Sequence, residues 1–339
     1  MLFSVVIPLY NAQSSIAETL ASVEAQNFAD CEIVLVDDGS EDGSIEVLSR
    51  FERDHKNVVL LRQSNSGVFQ ARRAGALACS GEYILFLDAD DRLRPDALEV
   101  IANALVANSA DLVSFRYTTH SDFADDRLLA SFLPAGLYKG KELQDVRRQV
   151  CMGHFNSVWA KAIRRSAFLA TLSYEPSRRV SFGEDLLQIQ ELIDFCDSVL
   201  QLDDVLYYYR SDTPSGATSS FSYSQLVDIE YVTSRLVFHA KRWGPECYRM
   251  ALCGRAEQYL YLVQINELSA EKKQETERHF MEICDFLDKN KVFAQTPTCK
   301  MRLDHRFALF LMRFRLYAPV RIMIKAKEYL MRASCALSF

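Results

Sequence analysis

The sequence contains no Gly-x-Gly: none of its twelve glycines lies two residues from another. The dinucleotide-binding fingerprint is therefore missing. No Gly-Lys-Ser or Gly-Lys-Thr follows a strand-like run either, which removes the phosphate loop of nucleoside triphosphatases. The nine cysteines include no Cys-x-x-Cys pair and no Cys/His cluster at zinc spacing. They read as small buried hydrophobes of a reducing cytosol. The apolar N-terminus lacks a basic region and a small-residue cleavage site, so no signal peptide is expected. Long apolar runs are absent as well. Ala308 to Ile324, the most apolar late stretch, is interrupted by Arg313, Arg315, Pro319 and Arg321, so no bilayer span is expected. A net charge of -6 gives no sign of a general nucleic-acid binder.

What is present is a globular chain of 339 residues with apolar content sufficient for a substantial core. Its charge is unevenly spread. From Lys300 to Phe339 nine Lys or Arg face only Asp304 and Glu328, a local net of +7 that leaves -13 on the remainder.

The first hundred residues alternate strand and helix patterns. Leu2 to Ile7 is a β-branched run closed by Pro8, which cannot donate to a ladder. Asn11 to Ser15 can cap a helix carrying Ile16, Leu20 and Val23. Cys31 to Val36 forms a second strand before the turn Asp37-Asp38-Gly39-Ser40. A second helix, a strand at Val58 to Leu61 and a third helix holding Arg72 and Arg73 come next. The fourth strand, Tyr83 to Leu87, stops at Asp88-Ala89-Asp90-Asp91. This alternation predicts right-handed βαβ crossovers: an α/β, Rossmann-like, mostly parallel sheet with helices on both faces. Ligands bind such sheets beyond the carboxyl ends of the strands, where this chain carries an aromatic ring, small polar residues and many carboxylates.

The stretch Tyr83 to Asp91 organises the rest. A short apolar strand ending in three carboxylates within four residues needs a cation to offset their repulsion, and oxygen-only ligands favour magnesium or manganese. The plainer reading is a solvated acidic turn with Asp91 capping the helix near Pro95.

Four motifs in order, VVIPLYN, VLVDDGSEDGS, NSGVFQARRAG and YILFLDADDRLRPDAL, resemble the nucleotide-binding half of the inverting family-2 glycosyltransferases of the A-type fold. The resemblance is close over residues 3 to 105 and looser to about 216. It implies a base pocket lined by Pro8, Tyr10, Asn11 and Gly39, with Tyr10 stacking on the base and Asp38 hydrogen-bonding it. It implies that Arg72, Asp88 and Ala89 help hold the nucleotide, and that Asp88 and Asp90, with Asp91 adjacent, form the Asp-x-Asp metal motif. Where such proteins often read Ala-Arg-Asn, this chain has Ala71-Arg72-Arg73.

Past Ala110 a fifth strand is followed by a polar loop, Thr118 to Asp126, and Tyr138 to Val150 reads as a helix. The resemblance implies that His154, Trp159 and Lys161 wall the acceptor side. It also implies that Asp185 is the catalytic base, with Glu184 orienting the acceptor or its neighbour. Acids in the first turn of a helix are stabilised by its dipole in any case. Val205 to Arg210 reads as a strand, and by resemblance Arg210 and Ser215 approach the diphosphate from a closing loop.

From Ser222 onward the pattern is helical, with Leu226, Ile229, Val232 and Leu236 as one stripe. The tail sets Phe307, Phe310 and Phe314 among Arg306, Arg313 and Arg315, a pattern suited to a membrane interface or to packing on another surface. The expected organisation is a catalytic domain over 1–220 (nucleotide half 1–105, acceptor half 106–220), a mainly helical extension over 221–299 and a basic amphipathic tail over 300–339. The expected function is metal-dependent inverting transfer of a sugar, by resemblance from a uridine diphosphate donor, to a glycan or lipid-linked acceptor in a bacterial surface glycan. The expected location is the cytoplasm or the inner membrane face. The alternatives are a sugar nucleotidyltransferase, against which the missing glycine-rich loop argues, and a nucleotide-sugar-binding partner without turnover.

Overall fold

The computed structural model describes residues 1–124, 133–211, 220–269 and 273–336. The chain divides into a first unit, Met1–Val150 with His154–Thr213, and a second, Cys151–Gly153 with Pro214–Phe339.

The first unit begins with β1 (Phe3–Leu9), α1 (Ile16–Glu24), β2 (Cys31–Asp37), α2 (Ser44–Asp54), β3 (Val58–Arg62), α3 (Val68–Ala78) and β4 (Tyr83–Phe86). After these come β5 (Arg92–Leu93), α4 (Ala97–Ala107), β6 (Leu112–Thr118), β7 (Gly136–Lys139), α5 (Leu143–Cys151), β8 (Lys161–Arg164), α6 (Arg165–Ala170), α7 (Glu184–Leu192) and β9 (Ser198–Tyr208). Among the described residues the sheet order is β3-β2-β1-β4-β8-β6-β9-β5, with β7 along β9. β3, β2, β1 and β4 run parallel, as do β6 and β9, while β8 runs antiparallel between β4 and β6. Every residue of β1 and β2 is buried, which explains their uninterrupted apolar character. α3 lies close on this sheet because Gly75 lacks a side chain: a Cβ there would sit 2.4 Å from Val6 Cγ1 and 3.1 Å from Val36 Cγ2.

Two local expectations change. Pro8 does not end β1, which continues to Leu9. The β1–β4 ladder stops at the Val6↔Phe86 pair, so the missing N–H of Pro8 falls beyond the last paired residue of β4. Tyr138 belongs to strand β7 rather than to a helix, because Leu137 and Tyr138 pair antiparallel with Leu200 and Val199. Gly140, at φ +54°, turns the chain before α5 starts at Leu143.

The second unit is helical: α8 (Tyr223–Trp243), α9 (Pro245–Ser269), α10 (Lys273–Lys289), the short α11 (Val292–Gln295), α12 (Leu303–Arg313) and α13 (Tyr317–Ala336). Ser222 and Gln225 form a reciprocal capping box at the start of α8. The predicted stripe Leu226, Ile229, Val232 and Leu236 is buried. Inside this unit Arg255 is buried with Glu230, whose carboxylate accepts its Nη2 at 2.5 and 2.6 Å and the Tyr259 hydroxyl at 2.6 Å. α12 leaves Phe307 and Phe310 exposed, with Phe314 just beyond it. No helix among the described residues is long and apolar enough to cross a membrane.

Candidate active site

The carboxyl ends of β1, β2 and β4 supply one edge. Tyr10, just past β1, is 48 % exposed, an unusual state for an aromatic ring at a strand end and one that leaves its surface available to a planar ligand. Asn11 adopts φ +51°, a left-handed turn its short polar side chain tolerates. Its N–H donates to Ser40 Oγ at 2.9 Å and its Oδ1 accepts the Glu41 N–H at 2.8 Å, tying the β1 and β2 ends together. Gly39, at φ +82°, makes the turn after β2.

Asp38 is buried and works on its neighbours. Oδ1 accepts from Gln63 Nε2 (2.7 Å) and the Ser66 N–H (2.8 Å), and Oδ2 from the Gly67 N–H (2.7 Å). One carboxylate thereby fixes the loop leading into α3, with acceptor capacity still remaining on it.

Arg72 on α3 is the centre of the cluster. Only 2 % exposed, it donates from Nη1 to Asp185 Oδ1 (2.5 Å) and Gln188 Oε1 (3.2 Å), and from Nη2 to Asp88 Oδ1 (3.1 Å). Burial opposes its charge, but Asp185, Asp88 and Glu184 more than offset that and raise its pKa. Arg73, the departure from the usual Asn, points elsewhere: it donates to the Tyr174 carbonyl (2.6 Å), the Leu172 carbonyl (3.1 Å) and Glu175 (2.9 Å).

Past β4 the carboxylates divide. Burial pushes the Asp88 carboxyl up despite Arg72, and Asp185 adds to the push. Asp91 is buried, accepts from the Tyr207 hydroxyl (2.6 Å) and the Arg210 N–H (2.8 Å), and is pushed up to about 8 by burial and by Asp88. The Ala89 carbonyl accepts from Ser15 Oγ at 2.9 Å. Arg210 reaches the same turn, donating from Nε to the Asp90 carbonyl at 3.1 Å and pairing with Glu18. Ser215 lies outside the described residues.

Gly183, at φ +81°, precedes α7, whose first turn carries Glu184 and Asp185. Burial, then the Asp185 charge, pushes Glu184 up to about 7. Lys161 on β8 is buried, donates to Ser157 Oγ at 3.0 Å and lies 4.2 Å above the Phe155 ring. Burial brings its ammonium down to about 7 although Asp185 supports the charge. Trp159 stacks on Tyr207 and Tyr209, both at 5.1 Å between ring centres. His154 is exposed and meets Gln149 Oε1 at 3.1 Å, a contact within its own stretch of chain.

Two acid motifs far apart in sequence are thus joined by one buried guanidinium. Sequence reasoning missed Gln188 and Tyr207 in this cluster. Gln188 sits three residues after Asp185 on α7, a helical spacing that brings both to one partner. Tyr207 was hidden in a run of three tyrosines.

A hard divalent cation is compatible with this donor set. Among the described residues no three His, Cys, Asp or Glu side chains converge as a closed metal cage. Asp88 is partly exposed at the edge, and Asp91 is engaged by Tyr207 and Arg210. One or two carboxylates at an open edge suit magnesium or manganese completed by phosphate oxygens. The upward displacement of the Asp88 and Asp91 carboxyls is what a cation there would relieve.

Residues 4–170 match the family described as glycosyl transferase family 2. Glycosyltransferase GlyA of Streptococcus pneumoniae is 27 % identical over 216 residues, 61 % of this chain and 30 % of GlyA. The uncharacterized glycosyltransferase EpsJ of Bacillus subtilis is 28 % identical over 221 residues, 63 % of this chain and 62 % of EpsJ. The chain therefore spans less than two thirds of either relative. The fold is that of S. aureus TarS 1-349, with a TM-score of 0.67 at 20 % identity, covering 97 % of this chain and 92 % of that one. TarS 1-349 has also been solved with UDP-GlcNAc, and that structure matches with a TM-score of 0.66 at 19 % identity. The family match takes in every strand end from Pro8 to Asp91 and stops before α7, where Arg72 reaches across to Asp185. Residues 4–170 of this chain are therefore a glycosyl transferase family 2 domain.

Proposed function

We propose that this chain transfers a sugar from a uridine diphosphate donor to a hydroxyl of a glycan or lipid-linked acceptor, with inversion at the anomeric carbon. The observation that carries the reading is Arg72, which ties the β4 acid motif to Asp185 on α7. A displacement without covalent intermediate needs a carboxylate beside the acceptor hydroxyl and neutralisation of the departing diphosphate. Asp185 takes the hydroxyl proton. Arg72 fixes the direction of that carboxylate, and Glu184 faces the acceptor or its neighbour. Tyr10 stacks on the base, with Pro8, Asn11, Asp38, Gly39 and Ala89 shaping the pocket. Arg210 draws the end of β9 onto the diphosphate. When bound, magnesium or manganese held by Asp88 and Asp90 neutralises charge on the diphosphate. Support for uridine comes from the TarS complex with UDP-GlcNAc. The proposal extends to a role in bacterial surface-glycan synthesis.

The test is release of UDP from UDP-sugars by purified protein with manganese. Asp185→Asn is expected to lower turnover about 10²–10⁴-fold while leaving UDP affinity unchanged. Full turnover by that variant rejects Asp185 as base. Asp90→Ala should abolish the manganese-dependent thermal stabilisation by UDP, about 2.7 kcal/mol for wild type at 100 times the dissociation constant.

Association with the inner membrane face belongs to the same proposal. A groove of about 410 Å³ on the second unit is lined by Phe307, Phe310, Arg306 and Arg313 among others. The Phe307 and Phe310 rings are parallel to within 11°, and Phe310 packs on Phe314 at 4.9 Å. Arg315 is drawn back onto Asp285 and Asp288, so Arg306 and Arg313 supply the charge. Exposed rings flanked by arginine fit an anionic bilayer surface. Flotation with phosphatidylglycerol vesicles should fall at least tenfold in Phe307→Ser/Phe310→Ser. Equal flotation, or a dimer broken by the same changes, rejects it.

A further inference from the structure

Trp159, which the family resemblance puts on the acceptor side, belongs to a larger aromatic cluster next to the acid motifs whose tyrosines have no role in the reading above. Tyr207 and Tyr209, two apart on one side of the β9 chain, both stack on Trp159, at interplanar angles of 25° and 10°. Tyr117, the register partner of Tyr207 on β6, meets the Trp159 ring edge-on at 4.8 Å and 87°. The cluster is anchored at its buried end, where the Tyr207 hydroxyl donates to Asp91 and accepts the Asp88 N–H. At its outer end Tyr209 is 37 % exposed, and Trp159 and Tyr117 are partly exposed.

The backbone holds Trp159 there at a cost. Ala160 adopts φ +54°, a left-handed conformation disfavoured for a residue with a Cβ. It separates Trp159, directed to the tyrosines, from Lys161, buried on the β8 strand within the field of Asp185. A core needing only apolar volume at position 159 has no reason to keep that turn. A rigid ring stacked on Tyr207, the residue that holds Asp91 and the Asp88 N–H, is a reason.

We propose that Tyr209, Trp159 and Tyr117 form a stacking platform for a pyranose ring of the acceptor. The axial C–H groups on one face of a pyranose carry partial positive charge and pack on the electron-rich face of an aromatic ring, while its hydroxyls stay at the rim. All three rings come from residues 106–220, as do Glu184, Asp185 and Lys161, whereas the nucleotide contacts proposed above come mainly from residues 8–91. The ring is therefore assigned to the acceptor rather than to the donor. The acceptor is then a saccharide next to its reacting hydroxyl, not a bare lipid alcohol or polyol phosphate. This rests on the transferase reading.

Saturation-transfer NMR on the full chain with UDP bound tests it, using methyl glycosides and trisaccharides of glucose, galactose and N-acetylglucosamine. Wild type should saturate the ring C–H protons of at least one of them. Tyr209→Ala should weaken that saccharide's apparent affinity tenfold or more, Tyr209→Phe should restore it, and UDP affinity should be the same in all three. Equal saccharide binding by wild type and Tyr209→Ala, or no saturation of any of them by wild type, overturns the platform. Loss of UDP-GlcNAc affinity with UDP affinity intact overturns the acceptor assignment in favour of the donor sugar. Failure of wild type to bind UDP at all sinks the transferase reading itself, a result separate from the others.

Discussion

Arg72 in the first unit and Arg255 in the second are both buried against carboxylate, and the two arrangements differ in what they leave over. In the second unit Arg255 is matched by a single carboxylate, Glu230, which also accepts from the Tyr259 hydroxyl, while Gln295 Oε1 and the Asn290 carbonyl accept from the guanidinium. In the first unit Arg72 faces Asp88 and Asp185 directly, with Glu184 and Asp91 close enough for the acids to push one another up. One cluster pairs one cation with one carboxylate. The other holds more carboxylate than cation, and such an excess persists where a cationic ligand or a proton transfer is to be served.

The largest expected effect comes from unbalancing the balanced pair. Glu230→Ala leaves a buried guanidinium that cannot shed its proton, and should cost about 3–5 kcal/mol of stability with no change in UDP affinity. Arg72→Met is the converse. Asp88 and Asp185 keep 28 % and 21 % of their surface and can take up water, so unfolding free energy should fall less than in Glu230→Ala. Turnover should nonetheless drop about 10²-fold, because the base loses its alignment. Denaturant titration and UDP release measured side by side decide this. If Arg72→Met destabilises as much as Glu230→Ala and spares turnover, the two clusters are of one kind.

The sequence made the strand ends legible but not their mutual contacts. Asp88, Asp90 and Asp91 stand out because a buried four-residue strand stops at them, and Pro8 to Ser15 because apolar character ends abruptly. The bridge from Arg72 to Asp185 is tertiary, and no periodicity encodes it. The helix expected from Tyr138 begins only at Leu143, because the four residues of β7, exposed at both ends and half-buried between, carry no alternation strong enough to mark a strand. Strand β9 is longer than expected because Gln201, Asp203 and Asp204 interrupt its apolar run, the two acids lying on an exposed stretch. Asp38 was given to the base from resemblance, and its service to the Gln63 to Gly67 loop was invisible until the loop's N–H groups could be seen to converge on it.

The smallest effect sharpens the comparison through pH. Glu184 is raised from 4.5 to about 7, so between those values the folded chain holds a proton that the unfolded chain has lost. Stability therefore falls as pH rises through that window. Lys161 is lowered from 10.5 to about 7, so above pH 7 the unfolded chain holds the extra proton and this group's contribution to stability rises with pH. Asp91, raised from 3.8 to about 8, adds to the falling contribution, so the falling and rising contributions overlap just above neutrality. Glu184→Gln should make the falling limb shallower, with Asp91 still contributing to it, and Lys161→Met should remove the rise above neutrality, read as melting temperature against pH from about 4 to 9, below the range in which the raised buried thiols act. If Glu184→Gln leaves the falling limb as steep as in wild type, the excess of carboxylate around Arg72 is already relieved by solvent, and the contrast with Arg255 is one of geometry rather than of charge.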